Sequence, residues 1–304
     1  MSATPDVVVV GSACRDLVDD DPRGWRLGGG ASYSALALAR LGLRVGAIVV
    51  ADELAAGSSE IEMIRDAGVD VRIQPGSRGP IFINTETPTG RIQQTPQVSD
   101  PVDPAALPDA WRRSGGWMIA PVAAEIPDVW AEIPPAGAHV ALGWQGLLRV
   151  LAPGAAVHHR QPFSSPVVWR ADLIGVGVDD IADATAAADL AKLLRPGAEM
   201  LLTDGIHGGN AYRVGQGGAV GGARHWHSIP TRTYVDPVGA GDSFLSGVFA
   251  AQLKPSLVAG WGAGDADLRL GAACGSLVLE GPGLFGVPRL DAAIGRMSGG
   301  DNPD

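Results

Sequence analysis

Lysine is almost absent from this chain. Of its 23 basic residues only Lys192 and Lys254 are lysines; the rest are arginines. No G-x-x-x-x-G-K-[ST] string occurs, which excludes a P-loop nucleotide site. Neither lysine sits in a motif for Schiff-base or protein-kinase chemistry, so those routes fall away too. Cysteine is as scarce. Cys14 and Cys274 stand far apart in sequence, the usage of a reduced, cytoplasmic protein and not of a disulfide scaffold. No apolar run reaches the roughly 18 residues of a membrane span. Met1 to Asp6 lacks the charged-then-apolar layout of a secretory signal. Positive charge is in deficit overall: the net charge is −10 and there is no basic stripe, which argues against a nucleic-acid partner.

What is present is glycine, proline and short apolar runs. Gly (43) and Pro (23) are high for 304 residues, but the 46% of hydrophobic residues keeps the chain in the folded, loop-rich class. Val7-Val8-Val9-Val10 is a continuous β-branched run, the mark of a strand buried on both faces of a parallel sheet. Gly28-Gly29-Gly30 precedes an Ala- and Leu-rich helix over Ala31–Leu41 that stops at Gly42. Further strands are expected at Arg44–Val50, Trp117–Val122, Val140–Leu142, Leu173–Val176 and Met200–Thr203. Helices are expected at Asp52–Asp66, Ile126–Glu132, Ile181–Leu194, Ala240–Gln252 and Ala266–Glu280. This alternation predicts a doubly wound, mostly parallel α/β sheet flanked by helices, in a single domain over 1–304. Asp70 to Val98 breaks the helical period with short extended runs and Gly/Pro turns. It reads as a small antiparallel β lid, an insertion at about 71–98 to which the stretch 15–27 adds an edge. A lid beside the carboxyl ends of parallel strands lies where ligands bind in such sheets. Residues after Met297 read as a frayed tail.

The chemistry concentrates in Asp236-Pro237-Val238-Gly239-Ala240-Gly241-Asp242-Ser243-Phe244, followed by an apolar helix. Small residues at Gly239, Ala240 and Gly241 let backbone approach a ligand closely. The unpaired first-turn amides and the positive end of the dipole make an anion site. Asp242 in that first turn has little reason to bind a phosphate. It has good reason to accept a proton from an attacking hydroxyl. His158-His159 and His225-Trp226-His227 lack a partner set at zinc spacing and read as surface or core residues.

The string resembles the D-T-x-G-A-G-D signature of the PfkB, or ribokinase-like, carbohydrate kinases. Gly28-Gly29-Gly30-Ala31-Ser32-Tyr33-Ser34-Ala35, closing on Ala39-Arg40-Leu41-Gly42, resembles that family's glycine pair and its helix. Gly11-Ser12-Ala13-Cys14-Arg15-Asp16 resembles its first strand end, and Thr203-Asp204-Gly205-Ile206-His207-Gly208 its T-x-G-x-x-G. The resemblance runs in order from about Val7 to Pro288 and implies transfer of the ATP γ-phosphate to a hydroxyl of a sugar, polyol or nucleoside. It makes Asp242 the general base and Gly239, Ala240 and Gly241 the anion hole. Asp16, Gly29 and Gly30 would hold substrate hydroxyls, and Thr203, Gly205 and Gly208 would line the ATP site. Asp236 would help to bind a monovalent cation such as K+, and magnesium would bridge the phosphates largely through water. Association of two copies through lid strands is also implied.

Several positions depart from the family pattern. Its N-x-x-E falls on Gly177-Val178-Asp179-Asp180, so the Asn is lost and Asp180 takes the carboxylate role toward magnesium-bound water. Tyr33 and Cys14 stand where sugar kinases place Asn. The D-x-N-x-R strand end reads Gly143-Trp144-Gln145-Gly146-Leu147-Leu148-Arg149. Tyr33 and Trp144 would supply aromatic walls and Gln145 a polar contact. Three readings stand open: a sugar or polyol kinase, a nucleoside kinase stacking a base between Tyr33 and Trp144, and a catalytically silent ligand-binding homologue.

Overall fold

The computed structural model describes residues 4–87, 90–181, 185–262 and 264–299. In chain order its strands are β1 (Val7–Ser12), β2 (Cys14–Leu17), β3 (Trp25–Gly28), β4 (Val45–Val50), β5 (Asp70–Ile73), β6 (Ile81–Thr87), β7 (Gly90–Gln97), β8 (Gly116–Ala120) and β9 (His139–Gly143). Then follow β10 (Arg149–Val150), β11 (Ala155–Ala156), β12 (His158–His159), β13 (Leu173–Gly177), β14 (Glu199–Thr203), β15 (Gly209–Arg213) and β16 (Arg224–Trp226). The helices are α1 (Gly30–Arg40), α2 (Glu53–Ala56), α3 (Ser59–Asp66), α4 (Pro166–Arg170), α5 (Ala187–Ala191), α6 (Ala240–Leu253), α7 (Ala266–Val278) and α8 (Leu290–Gly299).

Nine strands form one sheet in the order β16-β15-β14-β13-β9-β8-β1-β4-β5. It is parallel from β14 to β5, and β15 and β16 add an antiparallel edge. The period-2 alternation of a strand divides its side chains between two cores. Val7 and Val9 join the cluster with α1, α6 and α7, whereas Val8 and Val10 join the opposite one with Trp117, Ile119 and Trp144. The sheet is thus covered on both faces, as the β-branched run predicts. No helix of the described residues is long and apolar enough to cross a membrane.

A second sheet of five strands, β11-β7-β6-β2-β3, stands over the carboxyl end of β1. Its β2 pairs antiparallel with β3 and parallel with β6. The 15–27 stretch therefore supplies two of its strands, and Ala155–Ala156 a further short one. The expected start of the insertion at 71 is corrected. Asp70–Ile73 pairs parallel with β4 and is the edge of the large sheet. An edge strand has one poorly covered side, so it shows the same mixed polarity as a lid strand.

Three expected helices also change. Asp52–Asp66 splits at Gly57 because two N-caps compete: Asp52 accepts from Ala55 N and Ser58 from Ile61 N. Ile126–Glu132 holds only a 3-10 turn, Asp128–Ala131, after Pro127. Ile181–Leu194 yields α5 alone, with 182–184 outside the described residues. The segment expected to fray after Met297 continues as helix to Gly299, and 300–304 lie outside the described residues.

Candidate active site

Glycine brings two distant segments together at the end of β1. Gly29 caps α1 with φ 98°, and a Cβ there would overlap the Ser12 carbonyl. A Cβ on Gly30 would stand 2.9 Å from Ala120 O and 3.0 Å from Asp242 Oδ1. Only glycine therefore lets the start of α1 lie directly against Asp242. Gly239 caps α6 in the left-handed region (φ 85°, ψ 3°). The first helical turn closes with Ser243 N–H donating to Gly239 O at 2.9 Å. The amides of Ala240, Gly241 and Asp242 precede that bond and open outward, and nothing lies within 4 Å of where a Gly241 side chain would begin. That is an amide cradle suited to an anion, at the positive end of a fourteen-residue helix.

Asp242 stands at the mouth of this cradle. Burial raises its pKa from 3.8 to about 6; the Arg149 guanidinium works against that rise and the Asp180 carboxylate adds to it. Arg149 is the cation of the site, and its role is not assigned by sequence. Burial lowers its pKa, while Asp180, Asp242, Cys14 and Asp16 all favour its charge. Its Nη1 donates to Val122 O at 3.1 Å, its guanidinium lies 5.8 Å from the Phe82 ring centroid, and its buried Nε has no partner. The support beneath it is a buried carboxylate. Glu125 accepts from the amides of Val122 and Ala123 and from the Ser12 hydroxyl, fixing the turn that presents Val122 O. The one sequence signal for Arg149 is its place at the end of Gly143–Arg149; nothing in the string foretells Glu125.

On the acceptor side Asp16 is buried. Its carboxylate lies so close over Gly28 that any Cβ there would overlap it. The Cys14 thiol points to Asp16 Oδ1 at 3.7 Å, and burial pushes its pKa well up, which keeps it a neutral S–H donor. Cys14 thus backs Asp16 and does not face a ligand. Tyr33 packs its ring on Gly239, and burial together with Asp16 and Asp236 keeps its hydroxyl protonated. Asp16, Arg26, Tyr33, Asn84, Asp236 and Gly283 line a cavity of about 140 Å³ under the lid.

On the donor side, Gln145 Nε2 donates to Asp180 Oδ1 at 2.8 Å, and Gly177 N donates to Asp180 Oδ2 at 3.3 Å. The Thr203 hydroxyl donates to Val176 O at 3.4 Å beside them. Gly205 (φ 49°) and Gly208 (φ 84°) shape the loop after β14, and a Cβ on Gly208 would overlap Trp226 O. Exposed Val178 and Ile206 lie on the loops after β13 and β14.

Three expected roles are corrected. Trp144 is fully buried in the core opposite α6, so it offers no wall to a ligand. Gln145 turns its amide to Asp180 instead of toward the Asp16 cavity. Asp236 does not fit a monovalent cation. Val238 N donates to its Oδ1 at 2.9 Å, and Gly283 N at 3.0 Å and Arg26 Nη1 at 3.3 Å donate to its Oδ2. A carboxylate whose oxygens face three N–H donors, one of them a cation, is already satisfied. The magnesium reading fits better. Among the described residues no three carboxylate, His or Cys groups gather into a cage. One or two carboxylates beside a phosphate cradle is the usual protein share of a magnesium site, and Asp180 is the carboxylate that would take that share through water, leaving Asp242 free.

Residues 171–287 match the family model described as pfkB family carbohydrate kinase. No curated protein sequence matches the chain. A sulfate complex of a pyrophosphate-dependent kinase in the ribokinase family is similar in structure, with TM-score 0.71, 17% identity, and coverage of 94% of this chain and 98% of the other. Arabidopsis thaliana ribokinase, solved with ribose and ATP, gives TM-score 0.67 and 18% identity over 97% and 99%. The nucleoside kinase of Methanocaldococcus jannaschii gives 0.67 and 15% over 98% and 100%. The family model covers the segment that holds the 203–208 and Asp236–Phe244 motifs, and the architecture is the ribokinase-like α/β fold.

Proposed function

From the premise that this is a ribokinase-fold chain with a pfkB family carbohydrate kinase segment, we propose an ATP-dependent kinase that phosphorylates a hydroxyl of a sugar or polyol. The observation that carries this reading is the pairing of a half-buried carboxyl, raised to about 6, with the open amide cradle of α6. A base with that pKa is ionised at neutral pH, yet basic enough to take a proton from a hydroxyl as it attacks.

The acceptor is held in the Asp16 cavity, with its reacting hydroxyl against Asp242. The hydroxyl proton passes to Asp242 as the oxygen bonds to the γ-phosphorus and the bond to the ADP oxygen breaks. Charge on the transferred group is met by the amides of Ala240, Gly241 and Asp242 and by Arg149, groups that are fixed before the reaction begins. Magnesium, when bound with the donor, neutralises phosphate oxygens; Asp180 would hold its water shell. Thr203 and the 205–208 loop would border the nucleotide, with Val178 and Ile206 as apolar surface for its base.

The burial of Trp144 favours the small polar acceptor over a nucleoside, because the second stacking wall is gone. A panel of sugars, polyols and nucleosides against ATP and pyrophosphate, followed by ³¹P NMR of the product, tests each part. Turnover of a sugar or polyol with ATP is expected. Nucleoside-only turnover would overturn the acceptor, and turnover with pyrophosphate alone would overturn the donor. Tight binding without turnover would support a silent binding protein.

A further inference from the structure

Asp236 immediately precedes the anion-hole loop and is 9% exposed. Among the described residues its one charged partner is reached across 210 residues: Arg26 of β3, on the lid sheet. We infer that the Arg26 guanidinium is the built-in cation of this loop, and that it holds the amide cradle in place without a bound monovalent ion. The inference rests on the kinase reading for its catalytic consequence, but the binding statement stands without it.

Three observations support it. First, polarity is wrong for a metal. The groups that converge on the Asp236 carboxylate are N–H donors, from Val238, Gly283 and Arg26, whereas an alkali ion needs oxygen lone pairs turned inward. Second, the guanidinium is itself fixed. Arg26 is opposite Asp16 in the β2–β3 ladder, its side chain is 18% exposed, and its second terminal nitrogen is held by Asp20 at 2.6 Å. Third, the connection to the site is short. Asp236 Oδ1 accepts from Val238 N, the residue before Gly239, so whatever neutralises Asp236 steadies the turn into α6. Arginine suits this role better than lysine, because its planar fork spans Asp20 and Asp236 together. Arg26 also borders the cavity proposed for the acceptor, so its hold on the loop is read from the K+ titration and from stability as well as from turnover.

The test needs both a binding readout and an activity readout. The wild-type protein is titrated with KCl against a choline chloride background at constant ionic strength, following thermal unfolding and phosphoryl transfer together. The expected result is no saturable K+ effect: less than a twofold change in rate, and a melting temperature that follows ionic strength alone. A saturable rise specific to K+, in either readout, would overturn the inference, and the melting readout does so even if no kinase activity is found. Arg26→Ala is the second arm. It should lose at least tenfold in kcat, and regain part of that loss on addition of guanidinium ion but not of K+. Arg26→Lys should retain more activity than Arg26→Ala. A folded Arg26→Ala protein with wild-type kcat would also overturn the inference.

Discussion

Asp242 makes opposite demands on activity and stability. Its folded pKa of about 6 lies above the ordinary 3.8, because burial disfavours the charged form. The native state therefore binds more protons than the unfolded chain between those values, and stability falls as pH rises through that window. Asp242→Asn removes the ionisation. It should abolish turnover, by about 10³-fold or more, yet raise stability at pH 7.5 by up to about 3 kcal/mol. The gain should vanish at pH 3, where both states are protonated. Chemical denaturation at the two pH values checks this; equal stability changes at both would show that the carboxyl is not desolvated. The acidic limb of kcat/KM should lie near about 6, with activity rising as pH increases through it. Arg149 lowers that pKa, so Arg149→Met should move the limb upward. It should also cut kcat by about 10²-fold or more, as removal of one transition-state donor does. A fall in kcat with an unmoved limb would place Arg149 on the phosphate side alone.

The glycines of α1 and α6 act at the scale of the element. Gly239 combines a left-handed φ of 85° with the Tyr33 ring on the side where a Cβ would project. Gly239→Ala therefore meets two obstacles, backbone strain of about 1–2 kcal/mol and overlap with the ring. Tyr33→Ala in the same chain relieves only the second. The single variant should lose stability and most of its activity. The double variant should regain neither stability nor the cradle's activity, since φ stays strained and Tyr33→Ala empties a fully buried site. Recovery of both would mean that overlap alone fixes the turn. These elements were legible in the sequence because their signals are local: a β-branched run, a glycine triplet before an alanine-rich helix, a G-A-G-D turn before an apolar one. What was not legible depends on partners distant in the chain. Asp70–Ile73 alternates like a lid strand, and only its pairing with β4 places it in the large sheet. Trp144 sits at a promising position in the motif, yet the chain leaves β9 at Gly143 and turns helically there, putting the ring in the opposite core. Arg149 gains its meaning from Val122, Glu125 and Ser12, none of which lies near it in sequence.

At the scale of the whole molecule, arginine does the anchoring that the missing lysines leave open. Three arginines of the first lid segment reach the body. Arg15 pairs with Asp52 at 2.7 Å, Arg23 with Glu60 of α3 at 2.6 Å, and Arg26 with Asp236 at 3.3 Å. A small apolar cluster of Cys14, Phe82, Val122 and Ala123 closes the same joint. The root of the lid, β2 and β3, is thus tied down. The β6–β7 hairpin extends past it: β2 covers β6 only from Ile81 to Ile83. Closure over a substrate should then bend the distal hairpin toward the Asp16 cavity and leave β2 and β3 where they are, excluding water from the reacting phosphate. Hydrogen exchange with and without a turned-over acceptor distinguishes the two parts. β2 and β3 should be protected in both states, and added protection should concentrate in β6 and β7. Equal gains across all four strands would mean that the lid moves as one body. In that case the arginine pairs would have to break on opening, and rates of exchange in β2 and β3 would rise with salt, because ion pairs this close to solvent are screened.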